Sequence, residues 1–219
     1  MKIIRSVIIF ILAIFLWKAG FSQDSVELLK YPEFIDITLE NGLWILVAEH
    51  HEQPAVFYIM SVKAGVRDEP AGKEGLAGIT ASLLNQGTIS RTGEEIARTI
   101  DGIGGYLSAS AEVEYTTIGC TVLAEDVDTG LDLFSSIILE PVFPKKDFKR
   151  HKKQIISEIK QSYTDPSFIA RKHALHMLFG AKSRFGRERT ERNIKKIKVE
   201  DVKIFIKIIF FLITQYFWS

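Results

Sequence analysis

Gly72-Lys73-Glu74-Gly75-Leu76-Ala77 leads through Gly78-Ile79-Thr80-Ala81-Ser82 into Leu83-Leu84-Asn85-Gln86-Gly87-Thr88, and this stretch decides how the chain reads. Leu76, Ile79, Leu83 and Leu84 recur at helical spacing, and Gly87 stands where a left-handed cap would close the helix. At about 100° per residue, Glu74, Gly78, Ala81, Ser82 and Asn85 share one side and Leu76, Ile79 and Leu83 the other. A freely solvated helix face more often carries Lys, Glu or Gln. The small residues on this side therefore suggest close approach of another backbone.

Upstream the period is two. Ile35, Ile37 and Leu39 alternate with polar residues, Asn41-Gly42 supplies a tight turn, and Leu43 to Ala48 returns, which together predict a β-hairpin. Val56 to Ala64 reads as a third strand, and Gly65 to Gly72 as a connection rich in Gly, Pro and charge. Downstream, Thr92 and Glu95 form a capping box for a second helix that stops at Gly104-Gly105. Strand patterns follow over Tyr106 to Ala111 and Tyr115 to Leu123, then a helix over Asp126 to Ile138 that Pro141 to Pro144 breaks. A long helix is expected over Lys145 to Tyr163, with Phe148, Ile155 and Ile159 inward. Asp165-Pro166 opens another that ends at Phe179 and Gly180. Three strands, two helices, two strands and then helices predict an α+β fold: an antiparallel-rich sheet with helices packed on one face.

Composition sets limits on function. The 219 residues are 47% hydrophobic and 25% charged, enough for one domain with a sizeable core. Lys and Arg number 28 against 27 Asp and Glu, so no charge excess points to nucleic acid. The locally basic stretch Lys145 to Lys153 has Phe148 and Ile155 at helical spacing and reads as a solvated helix face. Cys120 is the only cysteine, which excludes an internal disulfide or a multi-cysteine metal site, and its apolar strand context predicts burial.

At the N-terminus, Lys2 and Arg5 precede the apolar run Val7 to Trp17, and Gly20 and Ser22 stand at plausible cleavage positions. Residues 1–22 are thus expected to be a signal peptide, giving an exported periplasmic or extracellular protein. The run is shorter than the roughly 20 apolar residues of a bilayer span, so no stable membrane span is expected.

The helix that begins near Gly75-Leu76-Ala77 and closes at Gly87-Thr88 resembles the first-helix signature of the insulinase and mitochondrial-processing-peptidase (M16) family. Asn41-Gly42-Leu43, Ala64-Gly65-Val66-Arg67, Ile103-Gly104-Gly105-Tyr106-Leu107 and Asp165-Pro166 extend the resemblance over about residues 33 to 205. In that family this helix carries His-x-x-Glu-His, two zinc ligands one turn apart with a glutamate between them as general base. The matching positions here are Gly78, Ala81 and Ser82, none of which binds zinc or takes a proton from water. The family's third ligand matches Glu158, 76 positions after Ser82; one carboxylate makes no zinc site, and Glu158 reads as a boundary residue in a polar contact.

The resemblance therefore implies a degenerate, non-catalytic member represented by its N-terminal domain. No catalytic residue, metal site or cofactor is expected. The implied role is a partner subunit that helps an active M16-like zinc peptidase form a chamber around an extended peptide. The alternatives are a zinc endopeptidase completed by another chain or by a missing C-terminal part, and an inactive truncated fragment. His173 and His176 on a helix, and His50 and His51 in a loop, lack a convincing third ligand and are expected to bind no metal.

The C-terminal stretch Ile204 to Ile213 has neither clean helical nor alternating period. Residues 206–219 are therefore expected to be an atypical tail on a 23–205 domain, frame-shifted or truncated, with the last strand of the sheet missing. Removing Ile204 to Ser219 is expected to leave cooperative unfolding intact.

Overall fold

The computed structural model describes residues 33–180, 183 and 185–215, with side chains through Lys207. The expected signal peptide lies outside the described residues. By compactness the described residues divide into two units, 33–35 with 46–50, and 36–45 with the described residues from 51 onward.

β1 (Phe34–Thr38) and β2 (Trp44–Ala48) form a two-stranded sheet. Its turn differs from the tight Asn-Gly turn expected. Gly42 N–H donates to Leu39 C=O at 2.6 Å and Leu39 N–H to Leu43 C=O at 3.0 Å, and only Gly42, at φ 59°, is left-handed. The loop is one residue longer than a two-residue hairpin, so the glycine alone needs positive φ.

β3 (Ala55–Val62), α1 (Leu76–Leu83), α2 (Gly93–Gly102), β4 (Tyr106–Ala111) and β5 (Thr116–Leu123) follow in that order. The sheet order is β3-β5-β4, antiparallel throughout, with Phe57, Thr121 and Tyr106 in one row and Ile59, Gly119 and Ser108 in the next. Alternation along β5 turns Ile118, Cys120 and Val122 inward, where they join Val62 and Leu107 in the core. Phe57, Ile59 and Tyr106 remain exposed on the opposite face. α3 (Val127–Leu139) packs on β5 through Leu133 and Ile137.

α1 is the centre of the helical layer. Leu76, Ile79, Leu83 and Leu84 are fully buried, each contributing roughly 1.5–3 kcal/mol of apolar transfer. β4, α4 (Lys145–Ser162) and α7 (Val199–Gln215) all pack against it. Gly87 does not form a left-handed cap. A 3-10 turn over Leu84–Gln86 intervenes, and Gly87 lies at φ 155°, ψ 150°, where its C=O accepts from Val142 N–H.

The capping box of α2 is present in both directions: Glu95 N–H donates to Thr92 Oγ1 at 3.2 Å, and Thr92 N–H to Glu95 Oε2 at 2.8 Å. α5 (Pro166–Phe179) has Asp165 as cap, accepting from Ser167 N–H at 2.9 Å. α6 (Glu191–Lys196) precedes α7 and seats Ile194 in the core. The antiparallel sheet and its helices thus form the expected α+β arrangement.

The C-terminal region differs from the expectation. α7 runs through residues 205 and 206 without a break, and Val202, Phe205 (0% exposed) and Ile206 (7%) are buried with Ile194 and Ile197. Val202, Phe205 and Ile206 follow i, i+3, i+4 spacing, so their burial fits a helix rather than a strand through residue 206. Among the described residues, no helix is long and apolar enough to cross a membrane.

Candidate functional site

The N-terminus of α1 is built by a residue outside it. Gly75, the residue before the helix, has φ 105° and no side chain with which to cap. Glu69 takes that role from six residues upstream: Gly75 N–H lies 3.0 Å from both Oε1 and Oε2, and Ala77 N–H donates to Oε1 at 2.8 Å. Glu69 is only 5% exposed. Burial pushes its carboxyl up to about 7, against the two backbone N–H groups, which favour the charged form; Glu74 raises it further and Arg189 lowers it.

Glu74 is likewise engaged. Its Oε1 accepts from Gly72 N–H at 3.0 Å and its Oε2 from the Asn193 side-chain amide. Lys73 pairs with Asp201, tying the start of α1 to the start of α7.

Gly78, Ala81 and Ser82, the positions that the resemblance sets against His-x-x-Glu-His, differ in their surroundings. A Cβ on Gly78 would meet nothing within 4 Å, so no described part of this chain makes the close approach expected there. Ala81 is 2% exposed, so it does not lie on an open face with Gly78 and Ser82. Ser82 donates its hydroxyl to Ile79 C=O at 3.0 Å. Because Gly78 pays a helix-interior glycine's entropy with free space above it, Gly78→Ala is expected to raise unfolding stability by about 0.5–1 kcal/mol in urea titrations. An unchanged or lowered midpoint would contradict the open geometry.

Glu158 sits on α4, exposed, and accepts from Gln154 Nε2 at 3.1 Å. About two turns before it, His151 has a buried Nε2 with no hydrogen-bond partner among the described residues. Burial and then Arg150 depress the His151 pKa, opposed by Asp147 and Glu158. Among the described residues, no group of three or more His, Cys, Asp or Glu side chains is arranged to hold a metal. His173 is exposed and His176 half-buried on α5, while His50 and His51 lie in the loop after β2.

A cavity of about 270 Å³ opens beside the start of α1, bounded by Val66, Glu69, Glu74, Gly78, Arg187 and Arg189. Sequence reading missed both halves of it. Glu69 belonged to a segment read only as a charged connection, and its partners are backbone N–H groups that leave no mark in side-chain spacing.

The comparisons with known proteins agree on the family. The model of insulinase (peptidase family M16) matches residues 45–192. A protein named uncharacterized zinc protease from Rickettsia felis is 30% identical over 128 residues, 58% of this chain and 31% of that protein. A similarly named protein from Mycobacterium leprae is 33% identical over 146 residues, 65% of this chain and 32% of its own length. The chain thus spans about a third of the length of these curated relatives. Among solved structures, the peptidase M16 inactive domain from Pseudomonas fluorescens superimposes with a TM-score of 0.73 at 20% identity, over 79% of this chain and 42% of that one. With the family model matching residues 45–192 and the same fold in that structure, the chain belongs to the insulinase family, peptidase family M16.

Proposed function

We propose that this protein is a non-catalytic member of the family, exported from the cytoplasm, that pairs with an active zinc peptidase and supplies part of the wall around an extended peptide. The observation that carries this reading is the donor set on α1. Zinc of this family would need imidazoles at positions 78 and 82, and the water it activates a carboxylate base at 81; glycine, serine and alanine stand at 78, 82 and 81 instead. These residues do not fit the metal. Glu158 alone supplies one ligand and is spent on Gln154. The buried setting of Ala81 adds to this, since a carboxylate there would be desolvated without a metal to pair with. Export rests on the sequence pattern of residues 1–22 described above.

The purified chain is expected to retain zinc far below one per molecule after dialysis and to show no chelator-sensitive peptidase activity. Co-expressed with a homologue that has an intact His-x-x-Glu-His, it is expected to co-purify and to raise that homologue's peptide turnover. One zinc per chain together with chelator-sensitive cleavage by the chain alone would overturn the reading, as would failure to associate with any such homologue encoded beside it.

A further inference from the structure

Two arginines, Arg187 and Arg189, line the cavity beside α1. Among the described residues, Arg98, Arg91, Arg67 and Arg150 each meet a carboxylate, at 2.9, 2.6, 3.0 and 2.9 Å. The guanidiniums of Arg187 and Arg189 have no ion-pair or hydrogen-bond partner there, although two carboxylates share their cavity. The reason lies in how those carboxylates are used. Glu69 is turned to Gly75 and Ala77 N–H, and Glu74 to Gly72 N–H and the Asn193 amide. Both are consumed by holding the chain together.

Arg189 is fixed at the rim by its stem. Its Cγ and Cδ lie within about 3.0 Å of where a Gly75 Cβ would stand, so the glycine makes room for the aliphatic chain to cross the start of α1. Gly78 also lines the cavity, and a Cβ there would meet nothing within 4 Å. At about 270 Å³ the cavity is below the roughly 300–1,000 Å³ usual for small-molecule sites, and suits one side chain or one chain terminus rather than a cofactor.

We infer that this cavity is a subsite for a carboxylate of an extended peptide, received over Gly78 and held by Arg187 and Arg189. The guanidinium fork matches a carboxylate with two parallel N–H donors, and two such groups at one rim favour an anion over a neutral amide. Glu69 offers limited opposition, because burial, outweighing the N–H groups at the helix N-terminus, leaves it only partly charged near neutral pH. The inference rests on the peptide-chamber reading and adds to it a chemical preference. The carboxylate is either an acidic side chain or the peptide's C-terminus.

The test uses the full chain and one labelled ten-residue peptide of Ala and Thr in four forms: central Glu or central Gln, each with a free or an amidated C-terminus. Fluorescence anisotropy is expected to show one carboxylate form binding at least about tenfold tighter than its amide counterpart, a difference of about 1.4 kcal/mol. The position that matters, internal or terminal, identifies the source. Arg187→Ala with Arg189→Ala is expected to erase the preference, and Gly78→Leu to weaken the preferred form by filling the cavity; circular dichroism checks that each variant is folded. Equal affinity for all four forms overturns the subsite while leaving the chamber reading standing. So does a preference that survives the double arginine substitution in a folded protein. No binding of any form overturns both.

Discussion

A chain ended after Lys203 is expected to lose its cooperative unfolding transition. The cut removes Phe205, which is 0% exposed, and Ile206, at 7%, and it leaves α7 with only five residues against α1. Phe205→Ala alone is expected to cost about 3–5 kcal/mol, the transfer free energy of the ring plus the cavity it leaves. Against a total of roughly 5–15 kcal/mol for a domain, that single change uses a large share of the stability. The truncation loses both side chains and the helix that carries them, uncovering Leu76 and Ile79 on α1 as well as Ile194 and Ile197. Urea titration followed by circular dichroism should therefore show a lowered midpoint for Phe205→Ala and a broad, non-cooperative decay for the truncated chain. A truncated chain that unfolds at the midpoint of the full one would show that α7 is not part of the core.

This reverses what the residue pattern suggests, and the reason is local. Read from Ile204 onward, Ile204-Phe205-Ile206-Lys207-Ile208-Ile209 shows no period, because the window begins in the middle of a stripe. Val199, Val202, Phe205 and Ile206 keep i, i+3, i+4 spacing only when the reading starts before Ile204. Elsewhere, periodicity was a sufficient guide. The alternation of β5 places Ile118, Cys120 and Val122 inward as the pattern requires, and Thr92 with Glu95 closes both halves of its box. These features depend on neighbours within four residues.

Features that depend on several packed elements were not legible. A helical wheel puts Ala81 with Gly78 and Ser82, yet α1 is enclosed by β4, α4 and α7, so its apolar surround is wider than one stripe. The 3-10 turn after Leu83 and the extended geometry of Gly87 arise because Gly87 C=O is taken by Val142 N–H, from a segment 55 positions away in the chain. The positions that match the family's metal-binding motif could be named from the sequence by resemblance. The cavity beside them could not, because Arg187 and Arg189 approach α1 only through the fold.

Glu69 gives the second large effect, and its sign can be worked out. Burial raises its carboxyl from 4.5 to about 7, so between these values the folded chain holds a proton that the unfolded chain has released. Stability from this group is fully present below about pH 4.5 and is lost as pH rises through about 7. At 1.36 kcal/mol per unit of pKa, the loss across that window is about 3 kcal/mol. Glu69→Gln isolates it: the amide keeps a carbonyl oxygen to accept from Gly75 or Ala77 N–H, has nearly the same volume, and does not ionise. Other carboxylates titrate in both proteins, so the informative quantity is the difference in unfolding free energy between wild type and variant. That difference is expected to move in favour of the glutamine protein by up to about 3 kcal/mol between pH 4.5 and pH 8, in urea titrations at fixed ionic strength. The N–H groups at the start of α1 act in the opposite sense, since they stabilise the carboxylate. If they prevailed over burial, the difference would instead move in favour of the wild type as pH rises. A flat or reversed difference would therefore show that the helix N-terminus, rather than desolvation, sets the charge of Glu69.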